Sequence, residues 1–479
     1  MRLRRGRTCT VLFLLLLFWG CASVPERGGF ADVQELVGER LGQKLHWRLG
    51  AAEDEAADQA VKRLLTDELS PDAAVQVALL RNAELQAAYE QLGVAQADLV
   101  QAGLLENPVF AGFARFPDRA PSKTNLEFEV ALNFLDLLML PARKHLAAAQ
   151  FEETKLQIAQ QVLALATEVR KAYFVALGAE GVARMRRLVA EAAEVSYEMA
   201  TRLHAAGNIG DLQLALEAGN FEKARVALAY SEAEALAARE ALTRLLGLWG
   251  EEVAFRLPGQ LPDIPTQEIP PEHLESYAVA HRLDLEAARQ EMAVMAQALG
   301  IVVDWRWLGL ADLGVSSERD TDGQWVTGPT LALKLPLFDR RQASIARQEA
   351  YYRQSRQRLT ALAVAARSEV RTLRDRLLMT RNLAEHYRRV VIPLRERIVD
   401  LWMERYNYML AGVFEVLLAR QEEFDAYQEY SEAVRDYWIT RAELQLALGG
   451  RLPESGPSPL EELFEPDPGS QGESHAHTP

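Results

Sequence analysis

Cys21 is the one thiol that the mature chain can use for chemistry. Arginines occupy four of the first seven positions, and nine apolar residues, 11–19, separate them from Gly20-Cys21-Ala22-Ser23. A nine-residue helix rises about 14 Å, less than half of a hydrocarbon core of roughly 30 Å. This pattern predicts an export signal over residues 1–20 and not a membrane span. Removal of the signal also removes Cys9, so Cys21 cannot form an internal disulfide.

The residues around Cys21 resemble a bacterial lipoprotein signal, in which this cysteine becomes the lipidated N-terminus. The resemblance implies a lipid on Cys21 and a lipid-anchored segment over residues 21–70. An unmodified cysteine after ordinary signal cleavage is the alternative. Neither Ala22 nor Ser23 is an aspartate, so nothing here resembles a signal for retention in the inner membrane.

Residue combinations typical of hydrolases and phosphate-binding enzymes do not occur in the sequence. It contains no G-x-S-x-G, no H-E-x-x-H and no phosphate loop, and its eight histidines are scattered. We therefore predict a protein that is not an enzyme and that has no cofactor. His475 and His477 are the candidates for binding a metal such as zinc or copper, with plain solvated side chains as the alternative.

The charge balance argues against nucleic acid as a partner. The 479 residues include 53 Lys and Arg against 68 Asp and Glu, a net charge of −15, and they form no basic block. Nucleic-acid binding depends on neutralising phosphates with cationic side chains. The apolar share of 49% is typical of a folded chain and too high for a disordered one.

Two long stretches of the chain, 71–249 and 271–449, resemble each other. Residues 78–88 match 278–288 at an offset of 200, and residues 130–134 match 331–335 at an offset of 201. A period this long indicates a duplicated domain and not a solenoid. We therefore predict two repeats over these ranges.

Segments rich in proline bound the two repeats. Five prolines lie between positions 258 and 271, too many for a helix, and they predict a linker over residues 250–270. Residues 450–479 are rich in Pro, Ser, Glu and Gly and predict a flexible tail.

Each repeat contains an alternating segment that predicts a β-strand with two different faces. Residues 126–134 alternate apolar and non-apolar side chains, and residues 331–337 repeat that alternation. Further strands are predicted near 109–116 and 310–317, so that each repeat carries a hairpin.

The remainder of each repeat predicts very long helices. Residues 142–205 contain no proline and would form a helix of about 95 Å. Residues 342–409 are comparable, with a kink expected at Pro393. Apolar side chains in the first of these helices are spaced as in a coiled-coil seam. They are Ile158, Val162, Leu165, Val169, Ala172 and Ala176.

Strands of nine to eleven residues with one apolar face fit a transmembrane β-barrel. No apolar run long enough to cross a membrane follows the signal, so no transmembrane helix is expected. Four strands cannot close a barrel alone, and two copies would give eight strands with a filled interior. Three copies give twelve strands, which leave room for a pore if something passes through. We therefore predict a trimer.

Three motifs of the sequence resemble the TolC-like outer-membrane efflux protein family, its lipid-bearing members most of all. They are the segments 82–88, 102–108 and 331–340. The resemblance implies an α+β membrane protein with an internal duplication. It implies a homotrimer whose twelve-strand β-barrel lies in outer-membrane lipid and continues as a long α-helical coiled-coil barrel in the periplasm. It further implies a periplasmic adaptor protein and an inner-membrane pump as partners.

The same resemblance implies roles for the turns that join the long helices. In the family, acidic side chains ring an aperture at these turns, which makes Asp211 and Glu415 the candidate aperture acids. Glu415 stands where the family commonly has aspartate, and Leu418 occupies the next acidic position. The alternatives are a helix N-cap for Asp211 and a solvated helix face for Glu415.

The same turns are the candidate sites for adaptor docking, with plain reversals of the chain as the alternative. The candidate residues are Gly207, Asn208, Gly210, Ala411 and Gly412. Trp305, Trp307 and Trp325 flank the second hairpin, either at a lipid–water interface or packed in the junction between helices and barrel.

The predicted function is that of a passive exit duct in a tripartite efflux system of a bacterial outer membrane. Two alternatives stay open: a periplasmic coiled-coil lipoprotein scaffold without a pore, and the outer-membrane component of an ATP-driven type I secretion system. The cargo, whether drug, metal or other, is not determined by the sequence.

Overall fold

The computed structural model describes residues 23–50, 52–118, 123–266, 273–307 and 311–453. The predicted signal, Cys21 and the pair His475 and His477 lie outside the described residues. The two N-terminal helices are α1 (Phe30–Leu41) and α2 (Ala52–Leu64). Trp47, in the segment between them, is buried and makes aromatic contacts with Phe30 and Tyr89, at ring-centroid distances of 5.8 and 6.3 Å.

The first half of the remaining chain has the order helix, helix, hairpin, helix, helix. Its elements are α3 (Pro71–Arg81), α4 (Ala83–Ala102), β1 (Val109–Arg115), β2 (Asn125–Asn133), α5 (Phe134–Ala205) and α6 (Asp211–Leu246).

The second half repeats this order with one interruption in its long helix. Its elements are α7 (Leu274–His281), α8 (Leu283–Asp304), β3 (Ala311–Arg319), β4 (Trp325–Leu333), α9 (Gln342–His386), α10 (Ile392–Asn407) and α11 (Val413–Ala447).

The four strands form one antiparallel sheet in the order β1-β2-β3-β4. The predicted number of strands is therefore confirmed, and strands β2 and β3 join the two halves of the chain. The alternation at 331–337 predicted the end of the fourth strand wrongly, because β4 ends at Leu333. Pro336 has no N–H to donate, and the Leu337 N–H donates to Leu335 O at 2.9 Å in a local turn.

Helix α5 begins eight residues earlier than predicted. The Asn133 side chain ends strand β2 and caps the helix, since it accepts hydrogen bonds from the backbone N–H groups of Leu135 and Asp136. The helix then runs through Pro141, so that its 72 residues follow the strand without a loop.

The predicted seam of α5 packs in the main hydrophobic core. Ile158, Val162, Val169 and Ala176 are fully buried, and the seam faces helices α3, α4 and α6. The corresponding buried stripe of the second half lies on helix α9. It consists of Ala366, Val370, Leu373 and Leu377.

A single π-helical turn, Tyr387–Val391, separates α9 from α10. The Ile392 N–H donates to Tyr387 O, five residues back, and Pro393 follows at the start of α10. Because proline cannot donate a hydrogen bond, the regular pattern of the helix is broken where the sequence predicted a kink.

The proline-rich segment before α7 packs along the helices. The Leu69 N–H donates to Arg256 O at 2.8 Å, and the Trp438 indole donates to Pro262 O at 2.9 Å. The Arg239 guanidinium lies over the Phe255 ring, with its Cζ 4.3 Å from the ring centroid. These contacts tie the segment to both halves of the chain.

The two halves end in the same way, at Gly247 and Gly449. Both glycines have positive φ, and a Cβ on either would lie 2.8 Å from Arg81 O or 2.6 Å from His281 O. Only glycine allows such a close approach of backbone in this conformation.

Candidate functional site

The register of the sheet separates its side chains into an apolar face and a polar face. Phe110, Val130, Val315 and Pro329 lie opposite one another across the four strands, and the residues two positions away continue the same face. Phe128 stacks on Phe110 and on Trp325 of this face, with ring centroids 6.2 and 6.5 Å apart. The face is therefore a largely apolar surface crossed by a row of aromatic rings.

The other face of the sheet carries four carboxylates, on strands β2 and β3. They are Glu127, Glu129, Asp312 and Glu318. Arg115 donates a hydrogen bond to Glu127 at 3.1 Å, and the Asn125 amide donates to Glu318 at 2.5 Å. Arg115 is the only cationic side chain of the four strands on this face, so the face has a net negative charge.

Glu129 is held by a contact that crosses a strand. The Thr330 hydroxyl on β4 donates to Glu129 Oε1 on β2 at 3.0 Å, although β3 lies between the two strands. Gly314 of β3 makes the contact possible, because a Cβ at this position would lie 2.6 Å from Thr330 Oγ1. A fixed carboxylate therefore stands near the middle of the polar face.

The turn between α5 and α6 contains the first group of predicted site residues. Gly207 has φ +74°, and the Asn208 N–H donates to Leu203 O at 2.9 Å. Gly210 is the N-cap of α6, so Asp211 does not cap the helix as the alternative interpretation expected. The Asp211 carboxylate is 98% exposed and lies 2.7 Å from His204 Nε2.

The turn between α10 and α11 has the same hydrogen bonds with different residues. The Met409 N–H donates to Tyr406 O at 2.9 Å and the Leu410 N–H donates to Arg405 O at 2.8 Å. Met409 has φ +57° and is 93% exposed, in the position that Gly207 occupies in the first turn.

Glu415 lies in the first turn of α11, three residues after its N-cap Gly412. Its Oε2 atom lies 2.7 Å from the point where a Cβ of Gly412 would be, so the side chain folds back over the turn. Within the described parts of the chain, no ion pair or hydrogen bond joins Glu415 to Asp211. In one copy of the chain, each of the two acids therefore lies at the turn of its own helical hairpin and does not contact the other acid.

Sequence reasoning missed the apolar character of the second turn. Tyr408, Met409 and Leu410 are strongly exposed there, and Leu212 is exposed beside the first turn. The signal in the sequence was the correspondence of Met409 with Gly207 between the two repeats. It places residues 408–412 in the second turn, and not only the predicted Ala411 and Gly412.

Hydrogen bonds between tyrosines and glutamates hold α11 against the interrupted helix. The Tyr427 hydroxyl donates to Glu396 at 2.7 Å, and this bond, together with burial, raises the pKa of Tyr427 to about 12. The Tyr387 hydroxyl donates to Glu429 at 3.0 Å, and that bond likewise raises the pKa of Tyr387. These aromatic residues therefore connect helices.

A metal site and a membrane-spanning helix are both absent from the part of the chain that the structure describes. No three side chains among its His, Cys, Asp and Glu converge as metal ligands. None of the helices in these ranges combines the length and the apolar character needed to span a membrane.

Comparison with known proteins identifies the fold. No family model matches the chain. Its sequence is 23% identical over 328 residues to the cobalt-zinc-cadmium resistance protein CzcC of Cupriavidus metallidurans, covering 66% of this chain and 71% of that protein.

Two solved structures share the fold over most of their length. CusC, described in the context of transmembrane channel formation, matches with a TM-score of 0.64 and 18% identity, covering 81% of this chain and 94% of that one. The outer membrane protein VceC of Vibrio cholerae matches with a TM-score of 0.65 and 16% identity, covering 80% and 96%. The chain therefore has the fold of the TolC-like outer-membrane channels, which confirms the fold class predicted from its motifs.

Proposed function

We propose that the chain is the outer-membrane channel of a tripartite efflux system, a passive exit duct that receives cargo from an inner-membrane pump through a periplasmic adaptor. The observation that carries this proposal is the sheet with one apolar face and one carboxylate-bearing face, whose strand β2 continues directly into a helix of 72 residues. A sheet with these two faces matches lipid on one side and water on the other.

Closure of the sheet supports a homotrimer. Strands β1 and β4 each have one edge without a partner among the described residues of the chain. Unpaired backbone groups are too costly to expose to lipid, so these edges must pair with neighbouring copies. Three copies make a twelve-strand barrel, and the carboxylates of the polar face then line its lumen.

The remaining assignments follow the same proposal. The barrel lies in the outer membrane and the long helices in the periplasm, with Cys21 carrying an N-terminal lipid.

The turns at Gly207 and Gly412 are the sites for the adaptor, and Asp211 and Glu415 contribute to the closed end. Residues 71–249 and 271–449 are the two repeats. The similarity to CzcC supports metal cations as one class of cargo to test.

Bilayer recording on the purified, membrane-extracted protein tests the proposal, with the mass of the oligomer measured on the same sample. We expect a trimer with small, mostly closed and cation-biased conductance. A stable monomer or dimer without conductance would contradict the closure argument and favour the lipoprotein scaffold. Capture of an ATP-driven transporter instead of a proton-driven pump, by cross-linking in cells, would favour type I secretion.

A further inference from the structure

Trp307 contacts two arginine side chains at the end of the sheet where the long helices begin. The Cζ atoms of Arg306 and Arg340 lie 5.2 and 5.7 Å from the centroid of the Trp307 ring. The ring is 55% exposed in a single copy of the chain. Tryptophan with flanking cations is typical of the boundary between lipid and water.

The segment that carries Arg340 is exposed and apolar. Phe338 is 95% exposed, and Leu335 and Leu337 are exposed as well. This segment continues from Leu333, which belongs to the apolar face of β4. The apolar surface of the sheet therefore extends to the two arginines and ends there.

The charge at this boundary is opposite to that of the chain as a whole. Residues 304–307 and 334–341 contain four cationic side chains and two aspartates, whereas the whole chain carries a net charge of −15. Asp339 accepts a hydrogen bond from the Arg341 N–H, and neither Arg306 nor Arg340 forms an ion pair within the described residues. Each guanidinium group therefore lies beside the Trp307 ring without a carboxylate partner among the described residues, and an anion is the ligand that such a cation favours.

We propose that Arg306, Trp307 and Arg340 form a binding site for the phosphate group of an anionic phospholipid in the membrane leaflet next to the helices. The phosphate accepts hydrogen bonds from both guanidinium groups, and the acyl chains lie along Leu335, Leu337 and the apolar face of the sheet. The inference rests on the proposed function, since it requires the sheet to lie in a membrane.

Retention of lipids by the full-length protein, measured by native mass spectrometry, tests the site. Phosphatidylglycerol and phosphatidylcholine are added in equal amounts to the protein in detergent. We expect the wild-type protein to retain phosphatidylglycerol preferentially, by about fivefold for each arginine. The double variant Arg306→Gln/Arg340→Gln should lose the preference. The control Arg356→Gln/Arg367→Gln removes the same charge from exposed positions of α9. This control should keep the preference for phosphatidylglycerol.

Three outcomes would overturn the site. They are a wild-type protein without preference, a double variant that retains the preference, and loss of the preference on addition of inorganic phosphate, which would indicate a site for free phosphate. Conductance of the same variants in phosphatidylcholine bilayers separates this inference from the proposed function. Channels that conduct but show no lipid preference would refute the lipid site alone, whereas absence of conductance in every variant and in the wild type would refute the channel.

Discussion

The Thr330 hydroxyl on β4 donates a hydrogen bond to Glu129 on β2, across the intervening strand β3. The bond passes above Gly314, the one position of β3 where the absence of a side chain leaves room for it. Glu129 and Thr330 are separated in sequence by the same offset as the repeats, so they occupy corresponding positions of the two halves of the chain. One of the two corresponding positions carries a carboxylate, and the other carries the hydroxyl that donates a hydrogen bond to it.

Replacement of Glu129 tests whether the polar face lines the pathway. Glu129→Gln should lower the ratio of cation to anion permeability in bilayer recordings, because it removes one negative charge per chain from the lumen. The matched variant Thr330→Val keeps the charge and removes only the hydrogen bond. It should leave the permeability ratio nearly unchanged and lower the free energy of unfolding by about 1 kcal/mol. Equal reversal potentials for Glu129→Gln and wild type would place this face outside the pathway.

Replacement of the acids at the hairpin turns tests the aperture. Glu415→Gln should weaken cation selectivity, because three copies of this acid around one axis attract cations. Asp211→Asn is the comparison, since its carboxylate already lies beside His204. We expect the smaller effect for Asp211→Asn. Unchanged reversal potentials for Glu415→Gln would remove this acid from the aperture.

Alanine at the glycines that end each half should destabilise the chain. Gly247→Ala and Gly449→Ala each place a Cβ against a backbone carbonyl and force alanine into positive φ, at a cost of about 1–3 kcal/mol. Gly219→Ala is the control, because Gly219 lies within α6 with open space around it. That variant should be more stable by about 0.5–1 kcal/mol. Chemical unfolding followed by circular dichroism measures all three, and similar midpoints would contradict the expectation.

Acid should weaken the N-terminal helices through Asp58. Hydrogen bonds from Arg48, at 2.8 and 3.2 Å, hold the pKa of Asp58 below its ordinary value, although burial acts in the opposite direction. The folded state therefore binds fewer protons at this site than the unfolded state. The resulting stabilisation is present above about pH 4 and is lost as the pH falls through the lowered pKa.

Urea unfolding of Asp58→Asn at about pH 7 and about pH 3 measures this contribution. The variant should be less stable than wild type at the higher pH, and the difference should shrink in acid. Glu55→Gln is the control on the same helix, at an exposed position that forms no ion pair among the described residues. A difference between wild type and Asp58→Asn that is the same at both pH values would contradict the assignment.

Periodicity predicted the parts of the fold that depend on burial. The alternation from Leu126 onward predicted β2, and the seam from Ile158 to Ala176 is the buried stripe of α5. Both patterns arise because one face of the element is apolar, and the sequence records this directly.

Features that depend on tertiary contacts were not predictable in the same way. The alternation at 331–337 continues past the last strand residue, because the exposed Leu335 and Leu337 keep the apolar alternation although no strand among the described residues pairs with them. Met409 has positive φ in the second turn. Residues other than glycine rarely adopt positive φ, so the sequence did not predict this conformation. The hydrogen bond between Glu129 and Thr330 depends on the register of strands β2, β3 and β4, which the sequence pattern does not show.

The π-helical turn at Tyr387–Val391 shifts the correspondence between the two halves of the chain by one residue. Before the turn, buried Ala384 corresponds to buried Ala183, at the offset that also relates Thr330 to Glu129. After the turn, buried Ile392 corresponds to buried Ala190, and the offset has grown by one. A π turn holds one residue more than an α turn, so the second half has one residue more than the first between these positions, and the π turn accommodates it. Because the extra residue is confined to the π turn, buried positions of the second half on both sides of it still correspond to buried positions of α5.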